Sequence, residues 1–77
     1  MTEKPAKRSL TIAGHKTSLT LESAFWEALK DVAQSRSQSV AALVAEIDAA
    51  RSAGVEGLSS AVRVFLLEHF RKQATRS

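Results

Sequence analysis

The stretch from Lys16 to Leu21, Lys-Thr-Ser-Leu-Thr-Leu, constrains this chain more than any other. It alternates polar and apolar residues, then runs without a break into Glu22-Ser23-Ala24-Phe25-Trp26, where the spacing becomes helical. A period of two marks a half-buried strand. Leu19 and Leu21 share one face; Lys16, Ser18 and Thr20 share the other. A cation and two short hydroxyls can reach base edges or phosphates when a strand lies in a groove of DNA. A lone strand leaves its ladder groups unpaired and does not persist in water. No strong second strand follows it. The expected partner is therefore a second copy of the chain, giving a two-stranded antiparallel ribbon with one strand from each subunit. The plainer alternative is an ordinary strand with a solvated polar face.

Size points the same way. With 77 residues the chain is one domain at most, near the length at which a single core is barely sufficient. It has no cysteine, which removes disulfides and thiolate metal sites. Oligomerisation is the remaining way to enlarge the core. The net charge is +3 and the sequence pI about 9.8, which suits a polyanionic partner. No apolar run approaches a membrane span, and residues 1–8 lack the apolar stretch of a signal peptide. The expected location is the cytoplasm, with no membrane partner.

Three segments are expected. Residues 1–14 form a basic arm with a short strand. Within it, residues 1–8 read as disordered, with Lys7 and Arg8 available for phosphate contacts or simply solvated. Ser9-Leu10-Thr11-Ile12 alternates again, and Ala13-Gly14-His15 follows as a breaker; this is either a short strand leading through a turn to Lys16 or an arm whose Leu10 and Ile12 cover an edge of the ribbon. Residues 15–53 hold the strand and two helices. The first helix covers 22–36, with Phe25, Ala28, Leu29, Val32 and Ala33 on one stripe and Trp26 one step off it. Ser35-Arg36-Ser37-Gln38-Ser39 is the break, and Ser39 is the expected N-cap of a second helix from Val40 to about Ala53. That helix carries Val40, Leu43, Val44 and Ile47 inward. Its first amides, beside Arg36 and Ser37, could hold a phosphate or could be an ordinary cap. Residues 54–77 give a Gly54-to-Gly57 loop and a third helix from about Ser60 to Lys72, apolar around much of its circumference and so buried on more than one side.

No catalytic constellation is present. His15 and His69 have no metal-ligand spacing between them, Ser39 has no evident base, and the three glycines do not form a phosphate loop. No enzyme activity, cofactor, metal or small-molecule ligand is expected.

Strand, helix, Ser-rich turn, helix is the order of the ribbon-helix-helix DNA-binding proteins, the family of the Arc and methionine repressors. Gly14-His15-Lys16-Thr17-Ser18-Leu19-Thr20-Leu21-Glu22, then Phe25-Trp26, and later Leu58-Ser59-Ser60-Ala61-Val62-Arg63, resembles its small stand-alone bacterial members. The resemblance spans about residues 8 to 71. It implies a mainly α fold with a short β-ribbon, an intertwined homodimer, and dimers side by side on double-stranded operator DNA. Lys16, Ser18 and Thr20 would then enter the major groove. The backbone at Ser39 and Val40, beside Arg36 and Ser37, would clamp a phosphate. Leu19, Leu21, Phe25, Trp26, Leu29, Val40, Leu43, Val44 and Ile47 would build the core shared by the two subunits. The third helix is absent from minimal members of the family. The expected role is a transcriptional regulator, such as a repressor. Rival roles are the DNA-binding antitoxin of a toxin–antitoxin pair and a dimeric interaction module that does not bind DNA.

Overall fold

The structure, a computed structural model, describes residues 4–50 and 57–75. Five elements follow in order: β1 (Ala6–Ile12), β2 (His15–Leu21), α1 (Ser23–Ser35), α2 (Val40–Ala50) and α3 (Leu58–Thr75). The fold is mainly α with one two-stranded antiparallel sheet.

The sheet is made within one chain, which corrects the expectation that β2 has no partner of its own. β1 and β2 pair from Ala6↔Leu21 to Ile12↔His15. Residues 6–8, expected in a disordered arm, belong to β1. Lys7 and Arg8 looked solvated by composition, yet a strand needs apolar residues on one face only. Arg8 supplies that face with its side chain, whose guanidinium carbon sits 4.8 Å from the centre of the Trp26 ring. Charge and aliphatic stem are thus accommodated together.

Ala13 and Gly14 make the turn, both with positive φ, at 52° and 81°. Two consecutive positive-φ residues define the type I′ turn that matches the twist of a two-residue hairpin. Glycine adopts this backbone freely, whereas alanine is strained there. Ala13→Asn should relieve that strain, since Asn tolerates the left-handed region. The expected gain is about 1 kcal/mol, read as a rise in melting temperature.

Leu19 and Leu21 point inward and are fully buried. They meet Leu29, Val32 and Ala33 of α1, Leu43, Val44 and Ile47 of α2, and Ala61, Val62 and Leu66 of α3 in one core. Phe25, Trp26 and Val40 are half-buried against it. The residues expected to build a core between subunits therefore already pack within a single chain. The segment boundary expected after Gly14 falls inside the hairpin turn, so the arm and the helical core are one packed unit.

α1 ends in a Schellman motif. The Gln38 N–H donates to the Ala33 carbonyl at 2.8 Å and the Ser37 N–H to that of Gln34 at 3.0 Å. Ser37 takes the left-handed position at φ 56°. Ser39 then caps α2 as expected, its Oγ accepting the Ala42 N–H at 3.0 Å. The expected end of α2 near Ala53 and most of the loop after it lie outside the described residues. α3 begins two residues earlier than expected, and Leu58, Ala61, Val62, Phe65 and Leu66 form its inward stripe. No helix among the described residues is long and apolar enough to cross a membrane.

Candidate nucleic-acid interface

Because side chains alternate along both strands, the hairpin has an outer face as well as a core face. On β2 the outer face carries Lys16, Ser18 and Thr20, all exposed. The register sets Thr11, Ser9 and Lys7 of β1 directly opposite them. These three are exposed too. The face is thus three cross-strand pairs: Lys16 with Thr11, Ser18 with Ser9, and Thr20 with Lys7. Hydroxyls occupy the middle, and the lysines stand at opposite ends. No carboxylate is among the six. Serine and threonine hydroxyls both donate and accept, and lysine donates, so the face can address donors and acceptors alike. It spans about 13 Å along the strands at ~3.3 Å per residue.

The sequence placed Lys16, Ser18 and Thr20 on this face but did not bring Ser9, Thr11 or Lys7 to it as partners. A turn through Ala13-Gly14-His15 into Lys16 was one of the two readings the sequence allowed; the register that sets these three residues opposite β2 comes from the pairing itself.

The open edge of β2 is guarded at one end. The Thr20 N–H donates to Ser59 Oγ at 3.0 Å. Arg63 Nη2 donates to the Thr20 carbonyl at 3.4 Å. Backbone groups alternate in direction along an antiparallel pair, so those of Ser18 and Lys16 point to the same edge as those of Thr20. Arg63 also grips Glu22 through Nε and Nη2, at 3.1 and 3.0 Å from Oε1. Its guanidinium carbon lies 5.7 Å from the Phe25 ring centre. One arginine of α3 therefore holds the junction where β2 becomes α1. Sequence reasoning missed it; a lone cation inside the apolar run Ala61–Leu67 is the available clue, since such a charge needs a partner.

Glu22 is held below the usual carboxylate value of 4.5, first by a hydrogen bond from its own backbone N–H and then by Arg63. A carboxylate with a lowered folded pKa stabilises the fold above the unfolded value, and that contribution fades as pH falls through the folded one. Glu22→Gln should therefore melt below the wild type at pH 7. The two melting temperatures should converge as the buffer is taken below pH 4.5, toward 3.

The expected phosphate contacts are dispersed. Arg8 faces inward over Trp26. Lys7 lies on the outer ribbon face. Arg36 donates to Glu46 at 3.0 Å, and Gln38 reaches the other oxygen of the same carboxylate. Both members of that ion pair are about half exposed, so the pair is weak and open to competition by an anion. Ser37 serves the helix end, and the Ser39 hydroxyl is engaged by Ala42. Val40 opens α2.

Between α1 and α3 lies an apolar groove of about 390 Å³. Phe25, Ala28, Val64, Leu67 and Phe70 line it, with Arg63 at its edge with the strand junction. Val64, Leu67 and Phe70 remain 46%, 57% and 44% exposed.

A paired ribbon with a polar outer face, running directly into two helices joined by a tight turn, defines a class of DNA-binding domain. The family model described as "Ribbon-helix-helix domain" matches residues 5–70. The chain belongs to the ribbon-helix-helix family, whose members are regulatory DNA-binding domains that typically act as dimers. Neither the curated proteins nor the solved structures gave a match to it.

Proposed function

We infer that this chain is a sequence-specific DNA-binding regulator that works as a homodimer and places the outer face of its ribbon in the major groove. The observation that carries this reading is the face itself: six exposed residues, all lysine, serine or threonine, on a two-stranded ribbon. The major groove is wide enough for such a ribbon and presents a distinct donor and acceptor pattern for each base pair. The lysines add attraction to the duplex without an opposing carboxylate. The first amides of α2 and the displaceable Arg36–Glu46 pair are the phosphate contacts in this reading. Membership of a family that typically binds DNA as dimers supports the homodimer.

A second reading, a dimeric interaction module that does not bind DNA, is favoured by the groove between α1 and α3 and its exposed apolar side chains. Duplex binding across a salt series separates the two. The logarithm of affinity should fall linearly with the logarithm of salt, by about 0.9 for each phosphate neutralised, because binding releases counterions. Failure to bind duplex DNA even at about 50 mM salt would leave the interaction module as the better account.

A further inference from the structure

We propose that the groove between α1 and α3 is filled by α3 of a second copy of this chain, so that Val64, Leu67 and Phe70 of the two copies meet beside the open edge of β2. This rests on the homodimer reading and names the surface that holds the two copies together.

The groove needs an occupant. Val64, Leu67 and Phe70 are the exposed large hydrophobics among the described residues, and all three line it. Their spacing of three sets them in one stripe along α3. Phe25 and Ala28 of α1 form the facing wall. Apolar side chains gathered in one patch mark a contact surface, whereas scattered ones do not.

Its position says what the occupant is. α2 packs against β1 and α3 against β2, so α3 lies toward the open edge of the sheet. Arg63 joins groove to edge, since it lines the one and donates to the Thr20 carbonyl on the other. Ser59 takes the Thr20 N–H. Farther along that edge, no described residue engages the backbone groups of Lys16 and Ser18. A bare strand edge is a template for another strand. A second β2 run antiparallel fits the bare stretch. Lys16 of each copy pairs with Ser18 of the other, and Thr17 lies on the two-fold axis. The occupied Thr20 then falls opposite Gly14 of the copy, which lies in the turn, outside the strand.

So short a ladder does not hold two chains together. Net hydrogen-bond energies are small because water competes for the same groups, and association costs translational and rotational freedom. Apolar burial must supply the rest, and the stripe on α3 is where the exposed large apolar side chains are.

The chemistry selects a copy over a different protein. A two-fold axis makes a contact reciprocal, with one patch serving as both surfaces. The stripe is itself a wall of the groove, so stripe meets stripe, with Leu67 in the middle. Arg63 is the ionic member of the lining, and Glu22 already holds it at 3.0 Å. The groove therefore offers no unpaired charge to select a partner of opposite sign.

The test is sedimentation of the full chain at micromolar concentration, with circular dichroism to follow folding. The wild type should be dimeric. Leu67→Glu and Leu67→Lys each set two like charges at the centre of the contact. Each should raise the dimer dissociation constant by about tenfold or more. An equimolar mixture of the two variants should dimerise again, because opposite charges then face each other. If the variants are unfolded alone, the mixture should recover helix together with the dimer.

A wild-type dimer that both variants leave intact would overturn the groove contact and leave the homodimer reading standing. A mixture that neither dimerises nor refolds would overturn it as well. A wild-type tetramer that either variant cuts to a dimer would put the groove between dimers and refute its place beside β2. A folded wild-type monomer would sink the homodimer reading itself and leave the groove to a different protein.

Discussion

Leu19→Ala should cost about 2–5 kcal/mol and lower the melting temperature by on the order of 10 °C or more. Leu19 is fully buried in the strand that leads into α1. It belongs to a core cluster that draws residues from both strands and all three helices. A chain of this length has about 4–12 kcal/mol of stability in total, so the loss is a large fraction of the whole. The neighbouring Ser18→Ala should move the melt by no more than about 0.5 kcal/mol, because Ser18 stands on the exposed outer face. Thermal melts of the two variants check the strand's orientation directly. If Ser18→Ala is the costlier, the inner and outer faces are exchanged.

Val62→Asp should prevent folding, and Val64→Asp should not. The two positions lie two residues apart on α3, on different sides of it. Val62 is fully buried in the core beside Ala61 and Leu66, while Val64 is nearly half exposed in the groove toward α1. A carboxylate at 62 would be taken out of water with no cation described in its cluster, a cost of several kcal/mol. At 64 it would remain hydrated and lie near Arg63. Circular dichroism should show an unfolded Val62→Asp chain beside a folded Val64→Asp chain. A folded Val62→Asp protein with native thermal stability would mean that α3 is an appendage, contrary to its place in the core. Sedimentation of Val64→Asp adds a further reading. If the groove between α1 and α3 supports the homodimer, this variant should sediment as a folded monomer where the wild type is dimeric.

The sequence was most informative where local chemistry decides the outcome. The alternation from Lys16 to Leu21 gave both the strand and its inner face, because a period of two admits few other structures. Ser39 was identifiable as a cap because a hydroxyl there satisfies an amide that the helix cannot. Pairing was harder. The ladder of β2 is the same chemistry whether its neighbour is β1 or another copy, so alternation alone does not name the partner. β1 was hidden further by Lys7 and Arg8, whose charges suggest solvent although Arg8 lays its side chain over Trp26. Arg63 was hidden by distance. Its partners Thr20 and Glu22 lie more than forty residues away, and no local pattern points to them.

The clamp on Thr20 also sets an order of events as the chain is made. The hairpin closes through two residues, and such hairpins form in about 1–10 μs. Ser59 and Arg63 come 39 and 43 residues after Thr20. At about 5–20 residues per second, a ribosome needs a few seconds to supply them. During that interval the edge of β2 is unsealed, and an unpaired edge is a template for another strand. Nascent chains on neighbouring ribosomes would meet with that edge open. Misassembly by edge pairing is therefore favoured co-translationally, and synthesis that stalls between Thr20 and Arg63 prolongs the exposure.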